Sequence, residues 1–449
     1  MKLRLKNIGM IEEANIKLDG LTVIAGENNT GKSTVGRLLF SIIKASSRYK
    51  EDLEESKEDK IFALIEKNYF QLRRKINFSS HINIRELFYP PMFKKDIDTH
   101  GINAFDTRLE KIKSLKEGFL FETSENTENN IFLSELEKSI LDIKRMFLQK
   151  EDKHKAQARA FKKVLMSEFK GKISNQNDIK NPSEIIATEG ENKILEILMQ
   201  KDSILLFDIV DELYFSDATF IETPAILQLS EAIDLSKTYF EEIDKEDRIA
   251  RVRRANIPLH VKDLNDKLKV SFYDDELFDM EDVSSNIKDL LNKLTKIISG
   301  RIKYIKRDKD FKYITSNGQS YGSINTATGI KAFGIIQMLL KSGLIDERSL
   351  LILDEPEVHL HPKWQIKYAE LIIELVKSNI TVLVTSHSPY MIEALQKYSE
   401  RANLTEQTNI YLSENNTIED KNKLQEIYEK LSEPFDEFEK MDSDILNGK

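Results

Sequence analysis

The sequence predicts an α/β fold with a mainly helical insertion between its two halves, and three observations carry that prediction. A short apolar strand, "LTVIAG", runs into the loop Gly26-Glu27-Asn28-Asn29-Thr30-Gly31-Lys32-Ser33 and on into a helix. Two continuous apolar runs, "LLILDEP" at 350–356 and "ITVLVTSHSP" at 380–389, bracket a helical segment at 361–378, as in a strand–helix–strand unit with buried parallel strands. Between these two ends lies a long stretch rich in Lys and Glu, with apolar residues at helical spacing.

Composition narrows the class. The 449 residues allow one large domain or two to three ordinary ones. A 40% hydrophobic content suffices for a sizeable core, and 32% charged residues suit long solvated helices. The net charge of −9 argues against a generally basic nucleic-acid coat but leaves room for a local basic face. No cysteine is present, which removes disulfides, thiolate metal sites and a cysteine nucleophile, and fits the cytoplasm. No apolar run reaches the ~18 residues of a membrane span, and "MKLRLKNIG" lacks a signal-peptide core.

The elements follow in order. Residues 1–48 read as the opening strands and helix of the α/β unit, the helix running from Lys32 to about Ala45. Residues 49–180 read as the helical insertion, a short antiparallel pair of helices. Leu133, Leu136, Ile140, Ile143 and Phe147 share one helical face there, and Asn- and Ser-rich breaks near 124–130 and 174–183 read as turns. Residues 181–412 return to the α/β unit, with a strand at 218–224 and an apolar stripe on the 361–378 helix at Ile366, Ala369, Leu371, Ile372 and Leu375. Residues 413–449 read as a charged helical tail.

The loop at Gly26–Ser33, followed by Thr34, is a complete G-x-x-x-x-G-K-S phosphate loop. Its glycines let backbone N–H groups curl around phosphates, Lys32 places a point charge on β/γ oxygens, and the Ser33 hydroxyl can hold Mg²⁺. The helix after it points its positive end at the anion. Asp354 and Glu355 end an apolar strand in the Walker B manner. Asp354 suits Mg²⁺, and Glu355 suits orienting the attacking water. His387 follows the next strand, at the ligand edge of an open sheet, where it can sense the γ-phosphate or steady the water. Thr328, Gly329 and Lys331 open an apolar helix and form a small-residue anion nest. His359 and His361 make a His-x-His, but no third ligand is evident, so a structural or interface role is expected.

Taken together, the phosphate loop near residue 26, the long insertion, the small-residue segment, "LILDEPEVHLHP" and "TSHSPY" resemble the ABC-type AAA ATPases, among them the SMC, Rad50 and RecF heads. The closer likeness is to the ATPase half of OLD-family proteins and to bacterial anti-phage defence ATPases of the PARIS and Septu kind. That resemblance implies an ABC-type ATPase head using ATP and Mg²⁺, with Glu355 and His387 catalytic. It also implies an ATP-sandwiched dimer or higher homo-oligomer in which Thr328, Gly329 and Lys331 reach the partner's γ-phosphate, and a coupling glutamine for which Gln176 is the candidate. Transporters carry Ser-Gly-Gly-Gln where this chain has Thr328-Gly329-Ile330-Lys331, as in the OLD-like branch.

OLD nucleases carry a Toprim domain after the ATPase. Here the segment after Tyr390 is too short for one, and Asp442-Ser443-Asp444 lacks the strand context of a Toprim acid pair. The expected role is a defence sensor or regulatory subunit with a Toprim or HNH nuclease effector in trans, a phage protein or DNA being the signal. A DNA-repair head would use Arg73, Arg74 and Lys75, the cluster Arg248, Arg251, Arg253 and Arg254, and Lys303, Lys306 and Arg307, each of which taken singly fits a solvated surface better. A third reading is an ATP-gated scaffold with negligible turnover.

Overall fold

A computed structural model describes residues 1–75, 89–118, 124–148, 153–176, 178, 180–210, 213–238, 256–270, 285–420, 425–430, 438 and 440–441. The chain divides into two compact units, one of Met1–Ser47 with Gln157–Lys449 and the other Arg48–Ala156. The helical insertion expected over 49–180 thus runs past this division, and 157–180 belongs with the sheet.

The first unit is built on an eleven-stranded sheet. Its strands are β1 (Lys2–Ile8), β2 (Ile11–Lys17), β3 (Leu21–Gly26), β4 (Ser183–Glu189), β5 (Asn192–Gln200), β6 (Ser203–Ile209), β7 (Asp217–Ile221), β11 (Ser349–Asp354), β12 (Thr381–Ser386), β13 (Thr408–Glu414) and β14 (Thr417–Asp420). Strands β8 (Gly300–Ile305), β9 (Asp310–Thr315) and β10 (Ser320–Gly322) form a separate antiparallel sheet. In the large sheet the order is β6-β5-β4-β1-β2-β14-β13-β3-β12-β11-β7. From β13 to β7 every pairing is parallel, while β6 through β2 form an antiparallel flank.

The parallel strands are apolar because both faces are covered. All six residues of β3, of β11 and of β12 are buried. Val23, Leu351, Leu353, Val382 and Val384 belong to one core with Phe333 and Ile336 of the helix Thr328–Lys341 and Ile372 of the helix Pro362–Lys377. The alternate residues face the other way. There the phosphate-loop helix, α1 (Lys32–Lys75), lies close enough that a Cβ on Gly36 would meet Ile352 and Phe220 at 3.0 Å. Each fully buried Leu or Ile contributes about 1.5–3 kcal/mol, so these strands anchor the site.

The remaining helices are α2 (Pro90–His100), α3 (Asn103–Gly118), α4 (Ser124–Leu148), α5 (Lys153–Phe169), α6 (Ile226–Asp234), α7 (Leu259–Val270), α8 (Ser285–Ile298), α9 (Thr328–Lys341), α10 (Pro362–Lys377) and α11 (Pro389–Arg401). The described residues of the second unit are helical. Leu133, Leu136, Ile140 and Ile143 are buried in its core with Phe93 and Phe105, and Phe147 packs at its edge.

Several expectations change. The first helix continues to Lys75 rather than ending near Ala45. The second unit has more helices than the expected pair, and 124–130 starts α4 instead of forming a turn, since Ser and Asn favour helix starts as well as turns. On α10, Ala369, Leu371, Ile372 and Leu375 are buried but Ile366 is 41% exposed, Tyr368 taking the inward place. The tail expected to be helical over 413–449 begins in strands. Glu414 and Thr417 are joined by Asn415 (φ 47°) and Asn416 (φ 63°), the two left-handed residues of a tight hairpin, and β14 slots between β13 and β2. Residues 425–430 are helical, and Asp442-Ser443-Asp444 lies outside the described residues.

Candidate active site

Five parallel strands run side by side, and the ends of β3, β11 and β12 bring the predicted residues together, as the ligand edge of an open α/β sheet requires. The phosphate loop leaves β3 at Gly26, whose φ is 153°. A Cβ there would lie 2.4 Å from Ser413 O, so only glycine fits. Ser413 Oγ in turn donates to Thr30 O at 2.8 Å, and Thr30 Oγ1 donates to Glu27 O at 2.9 Å. Strand β13 therefore braces the loop. Glu27, Asn28 and Asn29 form its exposed rim, and Thr34 N donates to Gly31 O in the first turn of α1.

Lys32 is buried. Its Nζ donates to Glu27 O at 2.6 Å and lies 3.9 Å from Glu355 Oε1. Burial holds its pKa below the ordinary lysine value, against the pull of Glu355, Asp354, Glu357 and Glu27.

Asp354 ends β11 and is 6% exposed. Thr385 Oγ1 donates to its Oδ1 at 2.5 Å, and Ser33 lines the same cavity. Burial pushes its pKa up, opposed by the Thr385 and Ser33 hydroxyls. Glu355 follows with φ 48°, a left-handed conformation that costs a non-glycine residue about 1–2 kcal/mol. Its N–H donates to both Thr385 O and Thr385 Oγ1 at 3.1 Å, which fixes the turn. His387 Nδ1 lies 3.4 Å from Glu355 Oε1 and 3.5 Å from Glu357 Oε1.

Sequence reasoning missed Glu357 and Thr385. Glu357 is 4% exposed, and its Oε1 accepts from Ser386 Oγ at 2.7 Å, His387 N at 2.9 Å and Ser388 N at 3.2 Å. Burial raises its pKa against those bonds.

A cavity of about 290 Å³ opens at this edge, lined among others by Ser33, Glu222, Asp354, Glu355 and Tyr368. Glu222, also missed, pairs with Arg37 at 2.8 Å and with His260 Nε2 at 3.2 Å. His260 is 1% exposed, and its Nδ1 meets Glu168 Oε2 at 2.6 Å while its N–H donates to Glu168 Oε1 at 2.9 Å. The His260 hydrogen bond, working against burial, holds Glu222 down at about 2.

Other predicted residues stand apart. Gln176 is exposed, and its amide donates to Ser174 O at 3.1 Å. Thr328 and Gly329 are half-buried at the start of α9, which lacks a side-chain cap, and Gly329 packs against the Trp364 ring. Lys331 is buried and its Nζ donates to Gln228 Oε1 at 2.8 Å, so in the single chain it does not present its charge outward as expected. His361 caps α10, its Nδ1 accepting from Lys363 N at 3.3 Å. The cluster Arg248, Arg251, Arg253 and Arg254 lies outside the described residues, as do the side chains of Arg73, Arg74 and Lys75.

The AAA ATPase domain family (AAA_15) matches residues 1–392. The Septu protein PtuA of Bacillus thuringiensis is 30% identical over 106 residues, which covers 21% of this chain and 26% of that protein, so the match spans about a quarter of that relative's length. Among solved structures, the SMC head domain from Thermotoga maritima is 9% identical with a TM-score of 0.34, covering 92% of this chain and 93% of that one. An SMC head bound to the C-winged helix domain of ScpA is 11% identical with a TM-score of 0.35, covering 93% and 95%. Among the described residues no helix is long and apolar enough to cross a membrane. With the family matching most of its length, and with Lys32, Asp354 and Glu355 gathered at one sheet edge, the chain belongs to the AAA ATPase domain family and is an ATP hydrolase.

Proposed function

We propose that the cavity at the ends of β7 and β11, beside Ser33 at the start of α1, takes ATP with Mg²⁺ and that Glu355 directs its hydrolysis. The observation that carries this reading is the convergence of Lys32, Glu355 and His387 within 3.9 Å along the chain Lys32–Glu355–His387. The buried Asp354 carboxylate and the Ser33 hydroxyl line one cavity and make an oxygen donor pair suited to a hard cation. Mg²⁺ held there would neutralise negative charge developing on the phosphates. Lys32 moves its ammonium from Glu27 O to the phosphates. Glu355 accepts a hydrogen bond from the attacking water and draws its proton, while His387, held through its backbone by Glu357, stands beside the γ-phosphate.

The proposal extends to assembly. Two copies close over two nucleotides, with Thr328 and Gly329 at the uncapped start of α9 facing the partner's γ-phosphate and Lys331 supporting that turn through Gln228. Gln176 serves as the coupling residue. The similarity to the Septu protein PtuA supports a further step, in which this ATPase is the cytoplasmic sensor or regulatory subunit of an anti-phage defence system and restrains an effector nuclease acting in trans.

Co-purification of the natively co-encoded proteins, with and without ATP, tests the assembly. The account expects a nuclease partner retained by Glu355→Gln in ATP and released from wild type by a phage-derived signal. A chain that purifies alone under every condition, and instead gains ATP-dependent, salt-sensitive DNA binding, replaces the defence reading with a repair one.

A further inference from the structure

The ATP reading uses Ser33, Asp354 and Glu355 of its cavity and leaves the rest of the wall unassigned. That wall includes Ile221 to Pro224 at the end of β7, Ala332 of α9 and Tyr368 of α10. Here the cavity meets the core, since Ile221, Ala332 and Tyr368 all belong to the apolar cluster packed on the parallel strands. Other polar groups of this wall are committed or open to solvent. Glu222 is bonded to Arg37 and His260, and Thr223 Oγ1 accepts from Ala225 N at 3.2 Å. His359 is exposed.

Tyr368 differs from these. It is 2% exposed, and its ring stands edge-on to Phe333 with centroids 5.0 Å apart. Yet its hydroxyl makes no hydrogen bond to any described residue. The oxygen is not sealed within the protein either, so it opens on the cavity that Tyr368 lines. A buried Tyr hydroxyl ordinarily finds a partner, and an unpaired donor carries a desolvation cost that Phe in the same place would avoid. Burial raises the Tyr368 pKa above the ordinary phenol value, so the proton stays on the oxygen and the group is a donor. The acceptor it lacks must therefore come from what the cavity holds. At about 290 Å³ the cavity has room for a phosphate group and several waters.

We infer that the Tyr368 hydroxyl holds the attacking water of ATP hydrolysis, an assignment that rests on the ATP reading of this cavity. The water accepts the Tyr368 O–H and donates one of its own protons to Glu355, so two fixed partners set where its remaining lone pair points. The water oxygen bonds to the γ-phosphorus, the bond from that phosphorus to the bridging oxygen of ADP breaks, and the proton goes to Glu355. Tyr368 gives up no proton. Its contribution is position, fixed by a ring packed into the core against Phe333.

The test compares full-length wild type, Tyr368→Phe and Glu355→Gln by steady-state ATP turnover, ATP affinity and urea unfolding. Tyr368→Phe is expected to lower kcat about tenfold, with KM and ATP affinity within about twofold of wild type. Its urea midpoint should match or exceed that of wild type, because no hydrogen bond within the protein is lost. Turnover of Tyr368→Phe within about twofold of wild type, with Glu355→Gln inactive, overturns the Tyr368 assignment and leaves the ATP reading standing. Undiminished turnover in Glu355→Gln overturns the ATP reading itself and this inference with it. A lowered urea midpoint in Tyr368→Phe assigns the hydroxyl to the fold, and weakened ATP affinity at unchanged kcat assigns it to the nucleotide. Either result overturns its role in holding the water.

Discussion

Thr385 holds Asp354 and Glu355 at once: its hydroxyl donates to Asp354 Oδ1 at 2.5 Å and the same oxygen accepts from Glu355 N at 3.1 Å. One side chain on β12 thus sets both acids at the end of β11. Parallel pairing makes this possible, because Asp354 and Thr385 are direct register partners.

Thr385→Val removes the hydroxyl while keeping the branched shape of a buried strand residue. A hydrogen bond to a charged group contributes about 1.5–3 kcal/mol, so denaturant unfolding should show a loss within that range. Turnover should fall and require more Mg²⁺, and Thr385→Ser should restore both. Unchanged Mg²⁺ dependence in Thr385→Val would remove this residue from the site's support.

Glu357 organises the other side. Its Oε1 receives three donors from Ser386–Ser388, and Glu357→Ala leaves all three without it. Ser388 N keeps Ser386 Oγ at 3.1 Å, and the two donors left stranded cost about 1–3 kcal/mol each, so a loss of at least about 2 kcal/mol is expected. Glu357→Gln keeps an acceptor oxygen and should stay within about 1.5 kcal/mol of wild type. Urea midpoints of the two variants check the contrast.

The His260 cluster gives a pH signature. Burial disfavours its charge, but the bonds to Glu168 and Glu222 prevail and raise the pKa above 6.5. A raised folded pKa means the stabilisation is complete below the unfolded value of about 6.5 and is lost as pH rises through the folded one. Glu222 works oppositely: at about 2 against an ordinary 4.5, its contribution is complete above 4.5 and disappears as pH falls toward 2. The stability gap between wild type and His260→Gln should therefore be widest between pH 5 and 6.5 and narrow at higher pH. A gap independent of pH would show that His260 is neutral in the fold.

Trans completion of the site is tested by mixing. Lys32→Ala copies keep an intact Thr328-Gly329 segment, and Thr328→Asp copies keep an intact phosphate loop. Each variant alone should be inactive. An equimolar mixture should recover roughly a quarter of wild-type turnover, since about half of randomly paired dimers contain one complete site of two. No recovery would place the α9 segment outside the partner's site.

The catalytic edge was legible because its chemistry demands particular residues in fixed spacing. Gly26–Ser33 and Asp354-Glu355 fell where strand ends place them, and their neighbouring apolar runs became the expected parallel strands. Glu222, Glu357 and His260 were not legible, since their meaning comes from partners far away in sequence, such as Glu168 with His260 across 92 positions. The tail was misread because Asn415-Asn416 looked like ordinary polar chain, yet both residues adopt left-handed backbone and start a strand that inserts between β13 and β2. Lys331 looked like an outward cation, and only packing showed it turned onto Gln228.

The most direct test is single-turnover hydrolysis of radiolabelled ATP by wild type and Glu355→Gln, with nucleotide affinity measured in parallel. The account predicts a fall in the hydrolysis rate of about 10²–10⁴ with affinity within threefold of wild type, the signature of a lost base. Hydrolysis at an undiminished rate in Glu355→Gln would contradict the assignment of Glu355 and the mechanism built on it.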